Sequence, residues 1–178
     1  MAIDWAAIEN VIHTQVALAA GVTGSLVLWE DQDRDRPVVS FLSMEIRNTA
    51  SNATGNAERS VTDNPTPTAG AEILLNTIKQ VEFEVIVSAF TRATTGGGGA
   101  YGWLSNLRTA LESESAEDAF FSAGLALYEV GAVLSIPRVL ETQSEGRGTL
   151  ALKFRTADVH TATATFIETI EWTGTVTT

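Results

Sequence analysis

The stretch that decides the fold is "AEILLNTIKQVEFEVIVSAF", residues 71–90. Its many β-branched and aromatic residues are typical of a β-strand. From Val81 to Val87 every second residue is apolar, whereas Glu82 and Glu84 point to the other side. We therefore predict a long strand with one buried face and one face that is at least half solvated where it begins.

Strand patterns also occur on both sides of this stretch, at Leu26–Glu30, Val38–Asn48, Leu125–Val130, Thr149–Thr156 and Phe166–Trp172. In Val38–Asn48, the alternation predicts that Val38, Leu42, Met44 and Ile46 share one face. In Thr149–Thr156, apolar residues alternate with cations, which predicts a strand with one buried face and one charged face.

Three segments have the spacing of helices. Apolar residues of Asp4–Ala20 recur at intervals of three and four, the first residue is placed to cap the helix, and Gly21 is placed to end it in a left-handed conformation. A leucine stripe predicts a second helix over about 100–114. Ser115 and Asp118 predict a capping box for a short third helix.

The connections differ in kind. "EDQDRDRP" is a charged turn, and a Pro-containing loop runs to about Leu140. Gly146 and Gly148 predict a further turn. Residues 49–70 are polar and show no period, which predicts a long flexible loop of a kind that compact domains rarely keep without a use.

Taken together, three helices and about six strands, grouped rather than alternating, predict an α+β fold. We expect a mainly antiparallel β-sheet with the helices packed on one side. The length of 178 residues predicts a single domain, residues 1–178.

Composition narrows the class of function. The chain has 11 Lys and Arg against 22 Asp and Glu, a net charge of −11, which disfavours binding to phosphate backbones. It has no cysteine, which excludes disulfides, Cys-type zinc sites and thiol nucleophiles. The first residues lack the pattern of a signal peptide, and no apolar run of about 18 residues occurs, so we expect a soluble protein made in the cytoplasm.

A run of four glycines, Gly96, Gly97, Gly98 and Gly99, separates a predicted strand from a predicted helix. With Gly102 it satisfies G-x-G-x-x-G, but a dinucleotide site needs this motif after the first strand and an acid about 20 residues further on. Here the motif comes late, Glu129 lies 27 residues past Gly102, and too little chain follows to complete a doubly wound sheet. We interpret the run as a flexible joint, and keep a small nucleotide-binding enzyme using the Gly96–Gly102 loop as the alternative from another class.

Other residues with potential chemistry have plainer explanations. His13 lies beside the apolar stripe of the first helix and His160 in a Thr/Ala-rich turn, and neither has a second ligand at metal spacing. Glu82 and Glu84 could form a carboxylate pair, but cross-strand ion pairs with Lys153 and Arg155 explain them better.

The aspartates of the charged turn lack the glycine and closing glutamate of a calcium loop. The four tryptophans, Trp5, Trp29, Trp103 and Trp172, are interpreted as core or interface anchors because no basic groove accompanies them. No catalytic set and no cofactor site remain, so we expect a structural or interaction protein rather than an enzyme.

The order of these segments resembles the neck or tail-terminator (tail completion) proteins of tailed bacteriophages. The resemblance is carried by "LVLWEDQDRDRPVVSFLSMEIRN", "QVEFEVIVSAF", "YGWLSNLRTALES", "AFFSAGLALYEVGAVLSIPRVLETQSEGRGTLALKFRT" and "FIETIEWTGT". The matching positions are Trp29, Gln32, Arg36, Pro37, Gly124, Leu125, Pro137, Glu145, Arg147 and Leu150.

The resemblance implies a virion structural protein of the neck, a ring of six copies that caps the tail tube, contacts the tail tube protein and joins a head-side connector protein. DNA would pass through such a ring without specific binding, assembly would take place in the host bacterial cytoplasm, and no membrane would be involved. Another tail or head-completion protein is the alternative within this class. Candidate inter-subunit contacts are Asp31, Asp33, Arg34, Asp35, Arg36, Glu82, Glu84, Arg147, Lys153 and Arg155. The glycine joint is expected to order on docking.

Overall fold

The computed structural model describes residues 3–31, 37–51, 58–66, 73–92, 99–135, 138–140 and 143–164. The helices of this part are α1 (Trp5–Ala20), α2 (Gly99–Leu111) and α3 (Glu114–Ser122). Its strands are β1 (Val27–Trp29), β2 (Phe41–Ser51), β3 (Glu58–Asp63), β4 (Ile73–Arg92), β5 (Leu125–Val130), β6 (Leu134–Ser135), β7 (Arg138–Leu140) and β8 (Gln143–Ala164). The predicted α+β fold is confirmed, with eight strands in the described residues instead of about six.

One sheet holds all of these strands, in the order β1-β2-β4-β8-β5, with β3 beside β4 and with β6 and β7 beside β8. Only the short β1–β2 pair is parallel, so the prediction of a mainly antiparallel sheet is confirmed. The centre of the sheet is the β4–β8 pair, which runs without a register shift from Ile73 opposite Ala164 to Arg92 opposite Glu145.

The core lies on one face of this pair, under the three helices. The predicted alternation of β4 is confirmed, since Phe83 and Val85 are buried. From β8, Leu152 and Phe154 point to the same face, and the leucine stripe of α2 packs on them. No helix in the described part of the chain is long and apolar enough to cross a membrane.

Both ends of α1 lie where the sequence predicts them. The Asp4 carboxylate accepts a hydrogen bond of 3.0 Å from the Ala7 backbone N–H, which satisfies one donor of the first turn. Gly21 ends the helix at a φ of 65°, a left-handed conformation that suits glycine.

Three local predictions are wrong. Val38 is 72% exposed and precedes β2, so it does not share the buried face of Leu42. The capping box at Ser115 does not form, because α3 already begins at Glu114 with Ser113 as its first cap residue. Gly146 and Gly148 are not in a turn but inside β8, where the absence of a side chain at Gly148 lets α2 approach closely.

The loop predicted over 49–70 is not a loop throughout. β2 continues to Ser51, and β3 occupies Glu58–Asp63 and pairs with the first part of β4. His160 likewise lies in β8, not in a turn. The polar, β-branched composition of these segments suits strands that are solvated on both faces, which leave no period of apolar residues to detect. The strand predicted at Phe166–Trp172 lies outside the described residues.

Candidate assembly surface

The sheet face opposite the helices carries a band of charge. We call it the charged band; its members are Glu45 and Arg47 of β2, Glu82 and Glu84 of β4, Glu129 of β5, and Lys153 and Arg155 of β8. Their register places acids and cations side by side across four strands. The side chains that form ion pairs in this band remain between 28% and 53% exposed. The band is therefore partly solvated and available for contact.

Arg155 pairs with Glu82, as the sequence predicts. Both its Nε and its Nη2 donate to Glu82 Oε1, at 3.1 and 2.6 Å. Its guanidinium also lies 5.1 Å from the ring centroid of Tyr128 on β5, a cation–π distance. The three residues link β4, β8 and β5 on the open face.

Lys153 does not pair with Glu84, although the two are directly opposite in the register. Its Nζ instead donates to both carboxylate oxygens of Glu129, at 2.9 and 2.8 Å. A bulge between Leu127 and Glu129 turns Glu129 to the open face, where simple alternation would place it with the core. The hydrogen bond to Glu129 raises the pKa of Lys153 above its ordinary value.

Glu84 consequently lies between two cations that are engaged elsewhere. On its β2 side, Arg47 is opposite it in the register but donates to Glu45. That hydrogen bond from Arg47 lowers the pKa of Glu45. Among the described side chains, no ion pair includes Glu84.

Arg147 lies apart from the charged band, near the other end of the sheet. Its guanidinium is 5.0 Å from the ring centroid of Phe90, which stacks on Phe41 at a centroid distance of 4.8 Å. Its Nε is buried and has no hydrogen-bond partner among the described residues. The geometry holds Arg147 by stacking and separates it from Lys153 and Arg155.

Of the candidate contacts in the charged turn, only Asp31 lies in the described residues; Asp33, Arg34, Asp35 and Arg36 lie outside them. Glu30, the first residue of this turn and not among the predicted contacts, is held on the sheet. Its backbone N–H donates to the Met44 carbonyl, and its Oε1 accepts 2.7 Å from the hydroxyl of Ser43.

The glycine motif begins outside the described residues, because Gly96, Gly97 and Gly98 are not described. Gly99 is the first residue of α2 with a φ of 57°, and Gly102 is inside that helix. The strand before it, β4, is antiparallel to β2, β3 and β8. A dinucleotide site of the doubly wound type needs parallel strands there, so this fold does not provide its framework.

The His13 side chain connects α1 to the segment that leads into β1. Its Nε2 lies 3.1 Å from the Gly24 carbonyl and 2.9 Å from the Val27 carbonyl. Since a carbonyl oxygen only accepts, the Nε2–H donates to both and ties α1 to the start of β1. Elsewhere in the described part of the chain, no three Asp, Glu or His side chains come close enough together to hold a metal ion.

The sequence reasoning missed a projecting part of the sheet. β3 pairs with the beginning of β4, whose other side pairs with the end of β8. All six residues of β3 are exposed. The alternation of Thr and Ala in "TATATF" was the available signal, since Thr favours strands that are solvated.

Comparison with protein families gives one match over nearly the whole chain. The model of the phage neck terminator protein family matches residues 6–178. No curated protein matches the chain.

Proposed function

We propose a function from one premise: the chain belongs to the phage neck terminator protein family. It is accordingly a structural protein of the phage neck, located in the tail region of the virion. Within that role we propose that six copies form a ring that caps the tail tube and joins it to the head-side connector protein.

The match over residues 6–178 is the observation that carries this proposal. Two properties of the molecule support it. A ring needs an interface between two different surfaces of the same kind of chain. This sheet offers two different edges, since β1 lies at one end of the strand order and β5 at the other. The charged band also offers partly exposed side chains, and no ion pair among the described side chains includes Glu84.

The charge supports passage of DNA through the ring. With a net charge of −11, the wall of a channel built from this chain would repel phosphates rather than retain them. We propose that the protein assembles in the host bacterial cytoplasm and has no catalytic role. The alternative is another tail or head-completion protein. The two roles predict different defects in phage that lack the protein, because a different step of virion assembly would fail.

Imaging of the purified protein, alone and with tail tubes, tests the proposal. We expect rings in negative stain, a native mass six times the chain mass of 19.0 kDa, and rings bound at one end of each tube. Tails assembled without the protein should be irregular in length. Monomers that never associate with tube ends would contradict the proposal.

A nucleotide panel separates the enzyme alternative. A ligand at 100 times its Kd adds about 2.7 kcal/mol to the free energy of unfolding, which a thermal-shift assay detects. We expect no shift with any nucleotide. A shift of several degrees with one of them would favour the enzyme.

A further inference from the structure

A cavity lies beside the first half of α1, where this helix meets the segment that leads into β1. Its volume is about 410 Å³, which is within the range of about 300–1,000 Å³ usual for ligand sites, and it is partly open to solvent. Helix α1 lines it with Ala6, Glu9, Asn10 and His13, and Ser25 and Trp29 line it from the other side. None of these residues belongs to the charged band, so the cavity is separate from the candidate assembly surface.

The spacing of the four α1 residues explains why they meet at one place. Glu9 and Asn10 follow Ala6 by three and four positions, and His13 follows them by four and three. Residues at these intervals are neighbours on the surface of a helix. The small side chain of Ala6 leaves space next to the three polar ones. The sequence of α1 thus builds one polar wall of the cavity.

His13 contributes a hydrogen-bond acceptor to this lining. Its Nε2–H donates to the carbonyl oxygens of Gly24 and Val27, at 3.1 and 2.9 Å, so the hydrogen of the neutral ring is held on Nε2. In that tautomer Nδ1 carries a lone pair and accepts. Among the described residues, no hydrogen bond reaches Nδ1. Gly24 also lines the cavity, and a Cβ there would lie only 3.0 Å from His13 Cε1.

The other residues of the lining add a negative charge, further acceptors and an aromatic surface. Among the described residues, no ion pair includes Glu9, and no hydrogen bond engages its carboxylate or the Asn10 side-chain amide. Ser25 Oγ lies 3.0 Å from Thr23 Oγ1, and a hydroxyl oxygen has a second lone pair for another donor. Trp29 is only 7% exposed and adds its indole to the lining.

This combination of groups fits a small cation with several N–H donors. The Glu9 carboxylate and the net charge of −11 favour a cation over an anion. A metal ion fits less well, because no three Asp, Glu or His side chains in the described part of the chain come close enough together to hold one. An ammonium group has three donors and no acceptor, which matches a lining rich in acceptors.

We propose that the cavity binds a primary alkylammonium group. The ammonium donates to the Glu9 carboxylate and to His13 Nδ1, and the alkyl chain lies against the indole of Trp29, which also attracts a cation. The group is carried by a free amine or by a lysine side chain of another protein. The inference goes beyond the proposed function and does not depend on it, since the cavity is formed by a single chain.

Nitrogen NMR of the imidazole rings measures binding directly, because the chain has only 2 histidines. Protein labelled with ¹⁵N-histidine is titrated with n-butylammonium chloride at about pH 8, where an ordinary imidazole is neutral. We expect the Nδ1 resonance of His13 to move upfield and to saturate, while the resonances of His160 in β8 stay in place. Butan-1-ol, which has the same alkyl chain and no charge, should move neither.

Two matched pairs of variants test the position and the charge of the site. Ala6→Leu fills the cavity, whereas Ala7→Leu adds the same side chain at the next position, outside the lining. Glu9→Gln removes the charge of the lining, whereas Glu117→Gln removes an exposed charge from α3. We expect the two changes in the lining to raise the Kd for n-butylammonium at least about tenfold, and the two controls to change it less than about twofold. None of the four positions is buried, and circular dichroism checks that the variants fold.

Two larger probes distinguish the sources of the ammonium group. Tighter binding of 1,4-diaminobutane than of Nα-acetyl-lysine methylamide would indicate a free amine, and the reverse order would indicate a lysine of another protein. Either order supports the site.

The outcomes also separate this inference from the proposed function. No saturable change at His13, equal binding of butan-1-ol, or an unchanged Kd in Ala6→Leu or Glu9→Gln would overturn the ammonium site. Each of these results leaves the proposed function standing, because rings and tube binding are measured separately by imaging. Ammonium binding by a protein that forms no rings would support the site and contradict the ring.

Discussion

Phe83 on β4 and Phe154 on β8 stack across the central strand pair, with ring centroids 5.5 Å apart and planes inclined by 16°. Trp5 of α1 meets Phe83 edge-on at 5.3 Å, and Phe120 of α3 meets Phe154 edge-on at 5.2 Å. Four aromatic rings in successive contact thus connect α1 and α3 through the two longest strands, β4 and β8. Each such pair adds about 0.5–1.5 kcal/mol beyond the burial of its area.

The two phenylalanines of α3 give a matched prediction from this relationship. Phe120 is 1% exposed and Phe121 is 80% exposed. Phe120→Ala should lower the free energy of unfolding by about 3–5 kcal/mol, because it removes the ring that packs on Phe154 and leaves a cavity. Phe121→Ala should change it by less than about 0.5 kcal/mol. Urea denaturation measures both; equal effects would show that α3 is not anchored by this contact.

Gly148 is predicted to be intolerant of even one methyl group. A Cβ there would lie 2.9 Å from Leu104 Cδ1 of α2 and 3.3 Å from the Leu134 carbonyl oxygen. Gly148→Ala should therefore lower the free energy of unfolding by about 1–3 kcal/mol. Leu104→Ala opens space beside residue 148. The double variant should therefore lose less free energy of unfolding than the sum of the losses in the two single variants. Strict additivity in denaturant titrations would contradict this close approach.

The pKa of Lys153 should report which acid holds it. Glu129→Gln removes the hydrogen-bonded partner and should lower the pKa of Lys153 towards 10.5, whereas Glu84→Gln removes only a Coulombic neighbour and should lower it less. An NMR titration of the lysine side chain measures both variants. A larger change in Glu84→Gln would mean that the pairing in solution follows the register instead.

The sign of the pH dependence follows from the same contact. Because folding raises the pKa of Lys153, the stabilisation from its ion pair is fully present below 10.5 and is lost as the pH rises through the folded value. For Glu45 the folded pKa is lowered, so its contribution is present above 4.5 and is lost as the pH falls through the folded value. Both effects should be small, because exposed pairs are screened by solvent.

The two histidines should behave differently. His13→Ala should lower the free energy of unfolding by about 1–3 kcal/mol, because the carbonyls of Gly24 and Val27 lose their donor. His160 lies exposed in β8, and His160→Ala should change the free energy of unfolding by less than about 0.5 kcal/mol. Thermal and urea unfolding of the purified variants check this. Similar stabilities for the two variants would show that the His13 hydrogen bonds contribute little.

Among the candidate contact residues, the sequence predicted which strand face each side chain lies on better than it predicted the ion-pair partner of that side chain. Glu82 and Arg155 are opposite one another and bonded, because an unbroken register carries the strand pattern directly into space. Lys153 turns to Glu129 because a bulge in β5, which no residue pattern announces, re-aims that carboxylate. As contacts between subunits, all ten candidate residues stay predictions.

The sequence by itself determined the elements that have a buried face: the helix that begins after Asp4 and ends at Gly21, the leucine stripe of α2 and the alternation that makes β4 the centre of the sheet. Burial imposes a period on apolar residues, and a period can be read along the chain. Only the tertiary structure decided the close approach of α2 to Gly148, the partner of Lys153 and the pairing of β3 with the first part of β4. These depend on which segments meet across long stretches of chain, and a solvated strand leaves no apolar period to mark it.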